Sequence, residues 1–479
     1  MRILKNIIYN GTVQISGILL NLVLMPYITR VLGKEALGIN SFGLAITSYF
    51  ALFGNLGIVI YGAKAIAEKR DNPAEKQKVF AHCITYQFLF NALAILLFNL
   101  WLPFQDNFES VYFLFNIVLL CTMTDLSWTY TGMERFDLIA IRNLTIRVAG
   151  TSLIFLFVKN PRDLALFIVI QQGILFISNI VFWLELKKIG LKIQFAPLRE
   201  SLQYVFRPAV ALFIPSIFTT VYMSLNKVML GYLSDIGQVA IYDYPNRLVR
   251  IAITLIGILG TVMMPRLAYL KKNSTSLDYE SKIKQMLYAS MLFSIPAMYL
   301  IILTANELSL LMFSSTFQGA DLIMQIVAPT IITSGLSLYI VMVTQERIKH
   351  LTWAVATGSV FNLILNFILI PRYAAIGAAF STIITEVLVH ILLIYHLRDC
   401  ISVKWIVKYL FILLGIGFSV MYLTLFIPAS TTVMRLFVTT SVFIGIYLIL
   451  ILIFQRKTIE TIFLGNRAII PFLLSKLKK

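Results

Sequence analysis

The sequence predicts an all-α, polytopic membrane protein of about fourteen transmembrane helices. Three observations carry this. Of the 479 residues, 59% are hydrophobic and only 13% charged, about half the charge of an ordinary soluble domain. The apolar residues gather in unbroken runs of about twenty, the length that crosses a bilayer as a helix. The short segments of alternating polarity that build an outer-membrane barrel are missing, and a chain this apolar is not disordered.

Apolar windows place the spans near 8–30, 38–62, 79–102, 110–132, 138–158, 164–184, 204–233, 237–264, 284–304, 320–344, 351–371, 374–396, 405–427 and 432–454. The first follows Met1-Arg-Ile-Leu-Lys without a small-residue cleavage site and is expected to be a retained helix, not a signal peptide. An even number of spans puts both termini on one side. With the amino terminus inside, and each basic residue assigned to its segment, 31 of the 40 Lys and Arg fall on inner segments and six on outer ones. Lys227, Arg247 and Arg250 stay within spans. Short loops follow the positive-inside rule, so both termini are expected in the cytoplasm. The net charge of +18 is therefore a mark of topology and not of a nucleic-acid partner. Trp101, Trp183, Trp353 and Trp405 near span ends, with Trp128 close to one, read as an aromatic belt.

A weak internal repeat runs through this frame. Leu32-Gly33 to Gly38 joins spans one and two, and Leu230-Gly231 to Gly237 joins spans seven and eight. Pro161-Arg162 and Pro371-Arg372 match at the same offset of six spans. An even offset gives two halves of equal orientation, a parallel pseudo-repeat known among transporters. The expected organisation is an N-terminal six-helix lobe at 1–200, a C-terminal six-helix lobe at 201–400, and an extra transmembrane pair with a basic cytoplasmic tail at 401–479.

Motifs for chemistry are missing. Cys83, Cys121 and Cys400 are scattered, which supports neither a disulfide framework nor a zinc site. Phosphate-loop, zinc-protease and nucleophile-elbow patterns do not occur. His82 beside Cys83, and His396 ahead of Cys400, read as helix-terminal side chains. No catalytic residue, metal or cofactor is expected; the expected role is movement of a cargo through the membrane.

Polar stripes mark where that cargo would pass. In span eight, Asp243, Arg247, Arg250, Thr254, Gly257 and Thr261 step by 4, 3, 4, 3 and 4 and share one helix face. A charge near mid-bilayer costs roughly 2.5–3.5 kcal/mol on insertion scales, so two arginines need fixed partners or a water-filled cavity. An Asp243–Arg247 ion pair serving packing alone leaves Arg250 over; the favoured reading is a cationic cavity wall. Lys227 in span seven either neutralises Asp243 or snorkels to the outer surface. Span one carries an uncharged stripe of Asn10, Gln14, Gly17 and Asn21, suited to packing or to lining water. Asn362 and Asn366 in span eleven are four apart, as are Glu386 and His390 in span twelve. The latter is a proton-titrating pair or a structural bridge. Asp125 in span four is a packing or coupling residue. Arginine's planar fork meets phosphate oxygens in pairs, so a large anion with a lipid tail suits the arrangement.

The chain resembles a known family at three places. Met25-Pro-Tyr-Ile-Thr-Arg-Val-Leu-Gly33 with Gly38 to Phe42 is similar to the first-helix signature of bacterial polysaccharide flippases. Asp125-Leu-Ser-Trp128 through Gly132, Glu134 and Phe136, with Arg142-Asn143, resembles their fourth-helix motif. Asn362 through Asn366, Pro371 and Gly377, with Thr385-Glu386, resembles their eleventh and twelfth helices; Tyr242, Tyr244 and Met264-Pro265-Arg266 also find similar residues there. The likeness covers roughly 1–400. It points to the Wzx-type oligosaccharide-lipid flippases of the multidrug/oligosaccharidyl-lipid/polysaccharide exporter superfamily. The resemblance implies two six-helix lobes around a cationic cavity that alternate access. The implied cargo is an undecaprenyl-diphosphate oligosaccharide, moved to the outer leaflet for capsule, exopolysaccharide or O-antigen. Fourteen spans bring the chain nearer to lipid II flippases, which keeps a cell-wall precursor open as cargo. A multidrug or cation antiporter of the same superfamily needs acidic cavity residues, which the basic cluster disfavours; a non-transporting scaffold for glycosyltransferases is a third class. Besides the lipid bilayer, the expected partners are a polysaccharide polymerase and glycosyltransferases, with a proton or sodium ion as coupling ion.

Overall fold

A computed structural model of the chain describes residues 2–105, 109–273, 276–426 and 431–464, with side chains from 17 onward except at 109, 214–216, 219, 276, 277, 463 and 464. The described residues form helices joined by short loops, without strands, and divide into two compact units, Met1–Ala240 and Ile241–Lys479. The first holds α1 (Arg2–Val31), α2 (Gly33–Asn55), α3 (Ile58–Lys69), α4 (Pro73–Trp101), α5 (Glu109–Phe113), α6 (Asn116–Thr124), α7 (Ser127–Gly132), α8 (Phe136–Phe157), α9 (Leu164–Glu185) and α10 (Leu198–Leu233). The second begins within α11 (Ile236–Asn273). It continues with α12 (Ser276–Met312), α13 (Ala320–Val327), α14 (Thr330–Gly335), α15 (Leu338–Thr344), α16 (Ile348–Leu397), α17 (Val403–Thr424), α18 (Thr432–Phe454) and α19 (Arg456–Leu464).

Ten helical runs among the described residues are long and apolar enough to cross a membrane, eleven if the pair Ala320–Val327 and Thr330–Thr344, bent by 44°, is one span. The protein is a multi-pass membrane protein. The shortfall from fourteen has local causes. The fifty-residue α16 covers the eleventh and twelfth expected spans on either side of Ala374, whose φ of 46° and ψ of −126° interrupt the helix. The positions expected for spans one and seven are occupied by α1 and α10.

Helix ends follow the sequence. Asn72 caps α4 by accepting from the Ala74 and Glu75 amides, with Pro73 in the first turn, where its missing N–H costs nothing. The fourth span breaks at Asp125, which adopts an extended backbone between α6 and α7. A broken helix in a bilayer strands its last carbonyls. Here the Gln87 side chain of α4 supplies donors: its Nε2 donates to the carbonyls of Thr122 (2.9 Å), Met123 (3.2 Å) and Asp125 (2.9 Å). The Gln87 Oε1 accepts from Trp128 Nε1 at 2.9 Å. Trp128, expected in an interfacial belt, is instead buried in the core of the first unit, because this bond satisfies its indole N–H away from water.

The two repeated turns pack on each other. A Cβ built on Gly38 would stand 2.1 Å from the Ile236 carbonyl oxygen, and one on Gly231 would stand 2.1 Å from the Phe42 ring. Only a residue without a side chain permits this approach. In the second unit α12 is the hub, packing against α13, α14, α17 and α18. Tyr299 donates to the Leu414 carbonyl at 3.1 Å, and buried Glu307 pairs with Arg435 of α18 at 3.1 Å. These contacts fasten α17 and α18 to α12.

Candidate functional site

The polar face of α11 is built as the residue spacing requires. One turn apart, Arg247 donates to Asp243 Oδ2 through Nε (3.1 Å) and Nη2 (2.6 Å). The Asp243 side chain is 11% exposed and that of Arg247 38%. The guanidinium also lies 4.5 Å from the centre of the Tyr244 ring, a favourable place for a cation. The i,i+4 pair considered for packing therefore forms. It offsets the charge of Arg247 locally, while Arg250, half-buried one turn further, forms no ion pair among the described residues. Thr254 Oγ1 bonds the Arg250 carbonyl at 2.8 Å, so its hydroxyl is committed to the helix. Tyr242 shares a 2.8 Å hydrogen bond with Thr382 of α16, which holds the start of the stripe.

In α16, Glu386 and His390 come together: His390 Nδ1 is 2.8 Å from the Glu386 carbonyl oxygen and 3.5 Å from its carboxylate. A carbonyl only accepts, so Nδ1 is the donor in that contact. Asn366 donates to Asn362 Oδ1 at 3.0 Å, and both side chains are fully buried. That pair tightens the α16 interior.

Asp125 meets a partner that the spacing did not single out. Its carboxylate accepts from the Ser127 amide (2.9 Å) and hydroxyl (2.8 Å), starting α7. It stands 3.7 Å from Arg142 Nη1. Arg142 in turn donates to Ser178 (3.1 Å) and Asn179 (2.7 Å) of α9 and lies over the Phe182 ring. Its side chain is only 12% exposed. The fifth apolar window, 138–158, contains Arg142, and α8 carries it almost two turns inside the helix. The Arg142-Asn143 pair in the quoted motif was the signal for it.

The remaining expected residues lie in the first unit. Asn21 is exposed on α1, and Lys227 is half-buried on α10. The side chains of Asn10 and Gln14 lie outside the described residues.

Residues 3–271 match the family model described as polysaccharide biosynthesis protein. A candidate O-antigen transporter of Escherichia coli K12 is 24% identical over 411 residues, covering 82% of this chain and 96% of its own. One of Shigella dysenteriae is 22% identical over 390 residues, covering 80% and 97%. Among solved structures, the lipid II flippase MurJ in an inward closed conformation superposes with a TM-score of 0.72 at 17% identity, covering 95% of this chain and 100% of that one. That likeness is one of fold.

Proposed function

The chain belongs to the polysaccharide biosynthesis protein family, and on that premise we propose that it is a lipid-linked oligosaccharide flippase of the bacterial cytoplasmic membrane. Its cargo is an oligosaccharide repeat unit on undecaprenyl diphosphate. Alternating access carries the unit from the inner to the outer leaflet, where it enters a surface polysaccharide: O-antigen, capsule or exopolysaccharide. Both termini are cytoplasmic in this reading, and 401–479 adds a transmembrane pair to six-helix lobes at 1–200 and 201–400. The O-antigen relatives support the cargo class; the lipid II flippase shares the fold and assigns no cargo here.

The observation that carries the proposal is the state of the two arginines on α11. Asp243 takes up Arg247, which leaves Arg250, half-buried and without an ion pair among the described residues, to meet a diphosphate through its planar fork. Arg247 turns to the cargo when Asp243 exchanges partners. Lys227, Asn21 and Gln14 are further contacts for the diphosphate or sugar. Glu386–His390 and Asp125 are the places for a coupling proton. The inside-negative potential favours outward movement of the anionic head by about 2.3 kcal/mol per charge per 100 mV.

The test is the lipid-linked sugar pool of cells depleted of the protein. A complete repeat unit on undecaprenyl diphosphate is expected to accumulate while surface polymer disappears. An unchanged pool with intact polymer overturns the reading and favours an antiporter.

A further inference from the structure

A cavity of about 410 Å³, with no residue of the α11 stripe in its lining, lies where α12, α17 and α19 meet. Its lining includes Glu280 and Lys284 of α12, Trp405 and Tyr409 of α17, and Lys457 and Thr461 of α19. The walls are tied together. Tyr288 donates to Gln455 Oε1 at 3.3 Å at the end of α18, and the Gln285 amide bonds the Ile462 carbonyl, fastening α19 to α12. Trp405 and Tyr409 pack with ring centres 4.8 Å apart, and Tyr409 meets Tyr288 edge-on at 5.4 Å.

Charge and depth define what this cavity takes. Lys284 is paired with Glu280 at 2.7 Å, and Lys457 forms no ion pair among the described residues. The two lysines and one glutamate leave one net positive charge, the complement of a phosphodiester. Trp405 and Tyr409 stand in the first two turns of α17, and α19 follows directly on the end of α18. The cavity thus lies level with the ends of apolar spans, where aromatic rings sit at headgroup depth and basic pockets between helices hold anionic lipid heads.

We propose that this cavity binds the phosphodiester of an anionic glycerophospholipid, independently of the cargo site. The purified full-length protein in detergent micelles is titrated separately with phosphatidylglycerol, phosphatidylcholine and inorganic phosphate, and bound lipid is measured by native mass spectrometry. Phosphatidylglycerol is expected to bind selectively. The double variant Lys284→Gln/Lys457→Gln should bind it roughly thirtyfold more weakly, from about 1 kcal/mol for each lysine and 1.4 kcal/mol per tenfold. Glu280→Gln, which raises the net positive charge, should tighten binding by up to about fivefold, a gain that a misfolded variant does not give. Equal retention of the two lipids, or no response to Glu280→Gln and the double variant, overturns the proposal. Displacement of the lipid by millimolar-scale inorganic phosphate assigns the cavity to a free anion and overturns the lipid source.

Discussion

Arg247 Nη2 stands 2.6 Å from Asp243 Oδ2, one helical turn away on α11. This relationship divides the two arginines of the stripe into one that is held and one, Arg250, that forms no ion pair among the described residues. Asp243 is mostly buried, and breaking a charge pair at a buried carboxylate is costly.

Arg247→Ala is therefore expected to lower thermal stability by roughly 1–3 kcal/mol, below the buried-pair range because its side chain is partly exposed. Arg250→Gln should leave the melting temperature close to that of the wild type and still abolish export. Melting curves of the purified variants, set beside surface polymer in complemented cells, separate the two. Full export by the Arg247→Gln/Arg250→Gln double variant sinks the assignment.

Gln87 bridges a broken span to a buried tryptophan. Its Nε2 serves three carbonyls and its Oε1 receives Trp128. Gln87→Leu should cost roughly 1–3 kcal/mol for each group left without a partner. Gln87→Glu is expected to be no better, because a carboxylate would face three carbonyl oxygens. Trp128→Phe should be the mildest of the three. An unchanged unfolding midpoint for Gln87→Leu contradicts the role.

Gly38 touches the Ile236 backbone so closely that a methyl group does not fit. Gly38→Ala is expected to force the repeated turns apart and reduce export. Gly415→Ala on α17, where a Cβ meets nothing within 4 Å, should be silent. Equal export by the two variants removes this contact from the mechanism.

Outside the spans, Arg347 bonds the Asp399 carboxylate, with Nη1 2.8 Å from Oδ1. The guanidinium holds the Asp399 carboxyl well below the usual carboxylate range. A depressed folded-state pKa adds stability above the unfolded value of about 3.9, and that contribution fades as pH falls below it. Since Asp399 is more than half exposed, the effect is at most about 1 kcal/mol. Melting temperatures of wild type and Asp399→Asn should differ slightly at pH 7, and the difference should shrink as the pH falls below about 4 toward the depressed folded-state value. A difference that widens on acidification refutes the pairing.

What the sequence determined by itself is local in origin. Apolar run length reads out the spans because a helix satisfies its own backbone in lipid. The α11 stripe, Asp243–Arg247 and Glu386–His390 were legible because residues four apart on one helix must be neighbours. Partners on different helices are set by packing between segments far apart in the chain, and no periodicity carries that. Arg142 finds Asp125 only because α8 lies beside α9 and the broken fourth span. Trp128 leaves the interface for the core because Gln87, forty-one residues earlier, meets its indole. Gly38 needs to be glycine because Ile236 arrives against it from the other end of the first unit. The sequence alone therefore determined which segments are helices and which faces are polar, and the tertiary structure decided which charges are neutralised, since that depends on the neighbouring helix each face meets.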